Sequence, residues 1–497
     1  MQRLGAVPRG DGTADLRVWA PAARSVLVRS DEEVALEREG ECWLGRFAGR
    51  DYLLVVDGET WPDPCSRWQP EGVGEPSRVL DTGALAWTDA PWRPPRLDDL
   101  VLYELHVGTF TEEGTLDAAI PRLRGLRELG VTAVELMPVA TFPGERGWGY
   151  DGLYTYAVHP AYGGPHALAR FVDGAHASGL AVVLDVVYNH VGPGNEALRA
   201  FGPYFTGRHE TFWGDAIDYA QRGVREWAIQ NAEQWVRDFH VDGLRLDAVH
   251  AIVDDSQPHV CAELAERVHD ASPAALVISE MEVDDWRPVD EWGHDAQWVD
   301  AAHHELHVLL TGERDGYYAD YGSVASLAED LRGRGRDPRR SVIFAQNHDQ
   351  VGNRAFGDRL PEGALRVAAA VTLFAPCTPL LFMGEEYFER APFRFFTDHV
   401  DPAIAEATRE GRKREFENFA GFAGEDVPDP QALETFLRSK LRPQEPDPLY
   451  RELLALRREL PPELEAEVDE EARVLVLRRG SVALRADFAN REIDLIR

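Results

Sequence analysis

Four short polar segments of the chain share one position, because each follows or ends an apolar, β-branched run. They are residues 185–190 (DVVYNH), 242–247 (DGLRLD), 278–280 (ISE) and 346–349 (QNHD). Each segment therefore places polar groups at the tip of a predicted buried strand. Carboxylates at successive strand tips are what a (β/α)8 barrel needs for chemistry at its C-terminal face. Three carboxylates with an arginine and a histidine suit the cleavage of a glycosidic bond.

Arg245 and Asp247 are two positions apart on one predicted strand, so their side chains point to the same side. The guanidinium is expected to hold the carboxylate ionised and oriented. An ionised carboxylate on a rigid strand end is a competent nucleophile toward an anomeric carbon. The alternative for a single Asp after a buried strand is a helix N-cap, which is the commoner role.

Two further carboxylates, Glu280 and Asp349, end other predicted strands. Glu280 follows the apolar run 276–278, and apolar walls disfavour the charged form of a carboxyl. Glu280 is therefore expected to stay protonated and to act as a general acid, with a surface salt bridge as the alternative for an isolated Glu. Asp349 is expected to bind sugar hydroxyls and to favour a distorted ring.

Aromatic and imidazole side chains near these segments suit a sugar ligand. His190 and His348 are predicted to be neutral donors to hydroxyl groups, and Tyr150 is predicted to stack on a sugar ring. Taken singly, such residues are more often part of a packed core. Asp185 with Asn189 either holds an ion or ties loops together.

The predicted elements that carry these residues form a barrel between two β-rich regions. The predicted domains are an N-terminal β-sandwich (1–92), a catalytic (β/α)8 TIM barrel (98–400), a helical extension (401–446), and a C-terminal helix with a small β domain (447–497). The eight predicted barrel strands are 101–106, 133–138, 181–187, 243–246, 275–279, 297–300, 341–344 and 380–383. Amphipathic stretches such as 118–129 and 225–239 separate them, and the gap 191–219, which lacks helical periodicity, is a candidate wall of a substrate groove.

Composition excludes several classes of partner. The net charge of −34 is expected to repel nucleic acid and anionic lipid, and it neither attracts nor repels an uncharged sugar. The alternative interpretation is that the acidic surface only maintains solubility. No run of about 18 apolar residues predicts a membrane helix. The N-terminus lacks the apolar core of a secretory signal, so a cytoplasmic location is expected. The four scattered cysteines predict free thiols and no zinc site.

The four polar segments resemble the conserved regions of the α-amylase superfamily of retaining glycosidases and glucanotransferases. The resemblance implies Asp247 as nucleophile, Glu280 as acid/base and Asp349 as stabiliser of an oxocarbenium-like transition state. It also implies His190, Arg245 and His348 as residues that bind the sugar at the cleavage point.

Further segments are similar to the malto-oligosyltrehalose trehalohydrolase family: 63–73, 103–111, 147–152, 247–252, 346–354, 381–386 and 395–399. This resemblance implies a carbohydrate-binding-module-like sandwich before the barrel. It implies hydrolysis of the α-1,4 bond next to the terminal trehalose of maltooligosyl trehalose, with other α-1,4-glucans also bound. It also implies functional pairing with a maltooligosyl trehalose synthase, and no cofactor or metal.

Additional substrate contacts are expected at His106 and, in a downstream subsite for trehalose, at Asp284 and Glu386. The chain departs from the family after Glu280, where Met281 and Glu282 replace a small polar or acidic pair, so product preference is in question. Alternative functions are a glycogen branching enzyme, a general α-1,4-glucan hydrolase, or a non-catalytic glycan-binding protein on the same barrel. The motif 104–111 favours the trehalohydrolase, and the presence of all three carboxylates disfavours the binding protein.

Overall fold

A closed barrel of eight parallel strands forms the centre of the computed structural model, which describes residues 2–211, 214–282, 284–416 and 427–497. The strands are Leu102–Leu105, Ala133–Leu136, Ala181–Val186, Gly243–Leu246, Leu276–Ser279, Ala296–Trp298, Ser341–Phe344 and Thr378–Phe382. Each pairs with the next along the chain, and the last closes on the first. Nearly every strand residue is buried, as expected of parallel strands covered on both faces. All eight strands predicted from the sequence are confirmed.

Helices on the outside of the barrel connect these strands. They are Leu116–Leu129, Gly164–Ser178, Arg222–Asp238, Val260–Ala271, Arg287–Asp290, Asp300–Thr311, Val324–Leu331 and Glu362–Phe374. The helix Leu116–Leu129 shows why the sequence folds this way. The Thr115 hydroxyl caps its N-terminus by accepting from the Ala118 amide, and Gly130 ends it at a φ of 124°. One apolar face of this helix is buried against the barrel.

Short elements lie in the loops around the barrel. They are the helices Val107–Phe110, Glu196–Phe201 and His348–Gly352 and the antiparallel pairs Ala140–Thr141 with Tyr154–Val158 and Phe205–Thr211 with Gly214–Ile217. The helix Glu196–Phe201 falls inside the gap 191–219, for which helical periodicity was not expected. Six residues span fewer than two turns, so they carry too little periodicity to be recognised in a sequence.

The N-terminal region contains two antiparallel sheets. One orders its strands as Gly5–Pro8, Thr13–Trp19, Cys42–Ala48 and Glu37–Glu39. The other orders them as Glu33–Ala35, Val26–Arg29, Asp51–Val56 and Glu59–Trp61, with Ser77–Arg78 paired to Asp51–Val56. In Thr13–Trp19 alternate residues are buried, which is the pattern of a sheet with one face on a core.

The C-terminal region consists of helices Pro402–Phe416, Leu433–Arg438 and Pro448–Arg457 and a four-stranded antiparallel sheet. The strands of this sheet are Glu465–Asp469, Val474–Arg479, Val482–Asp487 and Glu492–Ile496. Residues 417–426 of the predicted helical extension lie outside the described part of the chain. The N- and C-terminal sheets flank the barrel in sequence as expected, while the exact domain boundaries stay predictions.

Within the described ranges, no helix is long and apolar enough to cross a bilayer. All four cysteines are buried free thiols, as the sequence predicted.

Candidate active site

Arg245 joins three carboxylates at the C-terminal ends of the barrel strands. Its side chain is completely buried. Nη1 donates to Asp185 at 2.9 Å and to Asp247 at 2.8 Å, and Nη2 donates to Glu280 at 2.7 Å. The guanidinium also lies 4.1 Å from the ring centroid of Trp298, a cation–π contact. Arg245 is therefore the fixed positive centre of the site. Its contact with Asp247 agrees with the i, i+2 spacing, which predicted that the two side chains lie on the same side of the strand.

Asp247 is held by donors on both of its oxygens. Oδ1 accepts from Arg245, and Oδ2 accepts from the Asn189 amide at 2.7 Å. Asn189 also donates to the Asp247 backbone carbonyl at 2.8 Å. These contacts fix the carboxylate in one orientation while 9% of its side chain stays exposed at the mouth of the barrel. Asp247 therefore has the restricted, accessible position that a nucleophile requires.

Glu280 is placed beside Asp247, but not among the apolar walls that the sequence suggested. Its Oε2 accepts from Arg245 and from the backbone N–H of Ala248 at 2.9 Å. Ala248 has a φ of 40°, and this left-handed turn directs its N–H to the carboxylate. The apolar run 276–278 forms the strand itself, whereas the side chain of Glu280 points to the polar mouth. The apolar run therefore does not surround the Glu280 carboxyl, and the general-acid role of Glu280 stays a prediction.

His348 is anchored by a buried carboxylate of the first barrel strand. Its ring Nδ1 lies 2.5 Å from Glu104 Oε1, and its backbone N–H donates to Glu104 Oε2 at 2.8 Å. Burial alone would lower the pKa of His348, but Asp349 and Glu104 outweigh it and raise the pKa to about 10. The expectation of a neutral His348 is corrected to a protonated imidazolium, because an opposite charge in direct contact favours the charged form.

Asp349 follows His348 in the first turn of a short helix. Its Oδ1 lies 3.4 Å from His348 Nε2 and accepts from the Asn353 amide at 3.0 Å. The side chain is 31% exposed, more than those of Asp247 and Glu280. Asp349 is thus the carboxylate at this mouth with the most room for contact with sugar hydroxyls.

Tyr150 bridges Asp185 and His348 across the mouth of the barrel. Its hydroxyl donates to Asp185 Oδ2 at 2.6 Å and lies 2.8 Å from His348 Nε2. Its ring stacks on the imidazole with centroids 5.1 Å apart. Burial raises the pKa of Asp185 to about 7 against the opposing charge of Arg245. One face of the Tyr150 ring is thus taken by His348, and the stacking of Tyr150 on a sugar ring stays a prediction.

His190 and Asn189 form one unit beside Asp247. The His190 ring contacts the Asn189 side-chain oxygen through Nδ1, and burial lowers the pKa of His190 to about 4. The lowered pKa agrees with the prediction that His190 is neutral. Both ends of the Asn189 amide bind protein groups, so Asn189 ties the loop after the third strand to Asp247.

Three of the predicted substrate contacts are not part of this cluster. His106 is the N-cap of the helix Val107–Phe110, and its ring nitrogens contact Thr109, Gly147 and Tyr162 at 2.9–3.0 Å. Glu386 is buried and accepts from the Tyr103 hydroxyl at 3.0 Å. Asp284 is 68% exposed on the loop after the fifth strand. Asp284 is exposed to a ligand, with Arg334 as an ion-pair partner at 3.8 Å. His106 and Glu386 contact other protein groups, and their direct roles in substrate binding stay predictions.

Four residues of the barrel interior around the site were not predicted from the sequence as site residues: Glu104, Glu135, Trp298 and Asp300. Glu104 and Glu135 are neighbours on the first two strands, and burial with the charge of Glu104 raises the pKa of Glu135 well above its usual range. Within the described residues, neither carboxyl oxygen of Glu135 has a hydrogen-bond partner. Burial likewise raises the pKa of Asp300 to about 7. Charged residues inside apolar strands, as in 102–105 and 133–136, were the signal that could have revealed the first two.

Among the described residues, no group of three or more His, Cys, Asp or Glu side chains is arranged to hold a metal ion. The polar groups at this mouth are carboxylates, an arginine, imidazoles and a phenol. Two carboxyls on neighbouring strands, fixed by one guanidinium, can act as nucleophile and acid/base on a glycosidic bond.

A closed parallel barrel with this carboxylate set at its C-terminal face is a glycoside hydrolase of the α-amylase class. The alpha-amylase catalytic domain family matches residues 76–202. The malto-oligosyltrehalose trehalohydrolase of Arthrobacter ramosus is 46% identical over 94% of this chain and 92% of its own length. The corresponding enzyme of Deinococcus radiodurans is 44% identical over 92% of this chain and 83% of its own. The chain belongs to the malto-oligosyltrehalose trehalohydrolase family.

Other similarities agree with this placement. A solved structure of an alpha amylase from Salmonella typhimurium is 37% identical, covers 98% of this chain and 93% of its own, and superposes with a TM-score of 0.89. A 1,4-alpha-glucan branching enzyme of Corynebacterium jeikeium is only 28% identical, over 76% of this chain and 61% of its own. The branching enzyme is therefore the more distant relative.

Proposed function

We propose that the chain hydrolyses the α-1,4-glucosidic bond next to the terminal trehalose unit of maltooligosyl trehalose and releases trehalose. The observation that carries the chemistry is the Arg245 guanidinium, which binds Asp247 and Glu280 on neighbouring strand ends at 2.8 and 2.7 Å. The names of the relatives supply the choice of substrate.

In the proposed mechanism, Asp247 attacks the anomeric carbon and forms a glycosyl ester. Glu280 gives a proton to the leaving oxygen of the trehalose unit, and then takes a proton from the water that hydrolyses the ester. Two successive displacements retain the anomeric configuration. Arg245 and Asn189 hold the Asp247 carboxylate in one orientation for this attack, because both donate hydrogen bonds to it.

The remaining residues of the mouth are assigned to sugar binding. The His348 imidazolium and Asp349 are proposed to hold hydroxyls of the sugar at the cleavage point, and His190 is proposed to act as a neutral donor there. The face of the Tyr150 ring opposite His348 is proposed to stack on the sugar ring at the cleavage point. Asp284, which is exposed beyond Glu280, is proposed to contact the trehalose unit.

The partners follow from the same assignment. Other α-1,4-glucans are proposed as poorer substrates, and a maltooligosyl trehalose synthase is proposed as the functional partner that makes the main one. The charge of −34 argues against nucleic acid and anionic membranes as ligands. A cytoplasmic location is part of the same proposal.

The test incubates the purified protein with maltotriosyl trehalose and, separately, with maltopentaose, and resolves the products by chromatography. The expected result is trehalose plus maltotriose from the first, with the second cut slowly. Equal cutting of both substrates would indicate a general α-1,4-glucan hydrolase, and new α-1,6 branches on amylose would indicate a branching enzyme. The Asp247→Ala protein serves as the inactive control.

A further inference from the structure

A cavity of about 740 Å³ lies at the N-terminal ends of the barrel strands, opposite the active site. Val101, Thr132 and Pro376 line it from the start of the first, second and eighth strands. Leu454 and Leu460, in and just after the helix Pro448–Arg457, close its other side. The volume is within the usual range of small-ligand sites, about 300–1,000 Å³. No residue of the proposed glucan site lines it.

The charge of this cavity is opposite to that of the protein. The chain carries 86 acidic and 52 basic residues, but six arginines and only two acids, Asp98 and Asp99, line the cavity. The arginines are Arg93, Arg127, Arg339, Arg457, Arg458 and Arg479. Arg339 forms an ion pair with Asp98 at 2.8 Å. Across the described part of the chain, the other five arginines have no acidic partner within ion-pair distance.

Two of these guanidiniums, that of the buried Arg479 and that of the half-buried Arg457, have no acidic side chain as an ion-pair partner among the described residues. Arg479 is 4% exposed, and Nη1 donates to the Phe374 carbonyl at 2.8 Å. Arg457 donates to the Leu373 carbonyl at 3.1 Å and to the backbone carbonyls of residues 375–377. Both bind the C-terminal end of the helix Glu362–Phe374, whose dipole compensates only part of a full charge. Burial lowers the pKa of each arginine to about 10, and the charge of Arg479 adds to this effect on Arg457.

The rim of the cavity still has donors to offer. Arg127 donates to the Val131 carbonyl at 3.3 Å and Arg458 to the Gly130 carbonyl at 3.1 Å, each through one nitrogen. A guanidinium has five N–H donors in a planar fork, so most donors of both residues remain available to a ligand. Forked donors suit the oxygens of a phosphate, with which they form paired, charge-assisted hydrogen bonds.

We propose that this arginine-lined cavity binds a phosphate-bearing small molecule of about nucleotide or sugar-phosphate size. Arg127 and Arg458 bind the phosphate oxygens, and Arg457 and Arg479 supply the fixed positive field behind them. The apolar side chains of Leu454 and Leu460 contact the organic part of the ligand. An anion of this size supplies the negative charge that the carbonyl partners of Arg457 and Arg479 provide only in part, which a neutral glucan does not. The cavity is thus a second ligand site, separate from the glucan mouth.

Isothermal titration calorimetry with pyrophosphate and with adenosine triphosphate, at constant ionic strength set by potassium chloride, tests the proposal. The expected result is saturable binding at one site, weakened roughly tenfold or more in the Arg127→Ala/Arg458→Ala double variant, because charged hydrogen bonds are lost. Similar affinities for both probes would show that the phosphates alone are recognised. Tighter binding of the nucleotide would show that the apolar side chains of Leu454 and Leu460 also contribute to binding. Either result supports the site.

The matched control is Arg124→Ala, on the same helix as Arg127 but exposed and paired with Glu128. It is expected to bind both probes like the wild-type protein. Thermal unfolding of each variant without probe checks that the fold is intact. Absence of saturable heat with both probes, or equal affinity in the double variant and the wild type, would overturn the proposal.

Discussion

Glu104 holds His348 at two points, through the ring Nδ1 at 2.5 Å and the backbone N–H at 2.8 Å. The two residues are separated by 244 positions, and both side chains are 1% exposed. Because the carboxylate fixes both backbone and ring, the Nε2 edge of His348 is directed to Tyr150 and Asp349. The first barrel strand thereby sets the orientation and charge of a residue proposed to bind the sugar.

The first prediction concerns the charge of this pair. Glu104→Gln keeps the shape of the side chain but removes its charge, so the pKa of His348 should fall from about 10. Because the pKa of His348 is raised in the folded protein, its ion pair with Glu104 stabilises the fold fully below about pH 6.5, and this contribution is lost as the pH rises through about 10. The variant should therefore lose kcat/KM mainly on the alkaline side, with its alkaline limb moved to lower pH.

Measured pH profiles of kcat/KM and an NMR titration of the His348 ring test this prediction. Glu32→Gln, an exposed carboxylate of the N-terminal region, serves as the control and should leave both curves unchanged. A uniform loss of activity at every pH, with no movement of the limb, would mean that Glu104 acts only on packing.

The barrel and its strand tips could be predicted from the sequence because parallel strands are continuous apolar runs. The i, i+2 rule also placed Arg245 beside Asp247. The partners of Glu104 could not be predicted, because closure of the barrel brings together residues far apart in sequence. His106 shows a second limit. By alternation it should face the same way as Glu104, but the chain turns into the helix Val107–Phe110 directly after it.

The second prediction separates the roles of the two carboxyls that Arg245 joins. Asp247→Ala should lower turnover by several orders of magnitude on every substrate, because no glycosyl ester can form. For Glu280→Gln, kcat/KM, which reports the first step, should fall as far on a glucan but far less on a glycoside with a good leaving group such as dinitrophenol. Such a leaving group departs without protonation, so the general acid is dispensable in the first step.

Steady-state kinetics on both substrate types, with product configuration followed by NMR, test this assignment. The controls are Asp255→Ala and Glu266→Gln, which change exposed acids nearby in the sequence and should retain full activity. An equal loss of kcat/KM for Glu280→Gln on both substrate types would remove the general-acid role from Glu280.

The third prediction concerns Asn189, whose amide donates to Asp247 at 2.7 Å. Asn189→Asp replaces this donor with a second negative charge, which repels Asp247 and disturbs its orientation. Turnover should fall by roughly 10²-fold with KM changed much less, because the loss falls on the reacting group. Asn195→Asp, on the same loop, is the matched control and should retain activity.

Asn189 also provides a test for a metal ion. Its amide nitrogen donates to Asp247 and its oxygen contacts the His190 ring, so both ends of the side chain already bind protein groups. Dialysis against a chelator should therefore leave both kcat and the melting temperature unchanged. Loss of either on dialysis, with recovery on addition of a divalent cation, would contradict this expectation.

The fourth prediction concerns stability, and it depends on Glu385, which is buried beside Glu386 at the end of the eighth strand. Burial raises the pKa of Glu385 to about 8, although the Phe382 amide and the Tyr450 hydroxyl at 3.1 Å act against it. The folded protein thus keeps a proton here that the unfolded chain releases above about pH 4.5. Stability should fall as the pH rises from there through about 8, and Glu385→Gln, which stays neutral, should reduce this loss. The difference between melting temperatures at pH 6 and pH 9 should shrink by a few degrees, about what one or two kcal/mol produce in a large domain. Calorimetry of the wild type, Glu385→Gln and the exposed control Glu410→Gln measures it, and an equal pH dependence in all three would refute a buried, protonated Glu385.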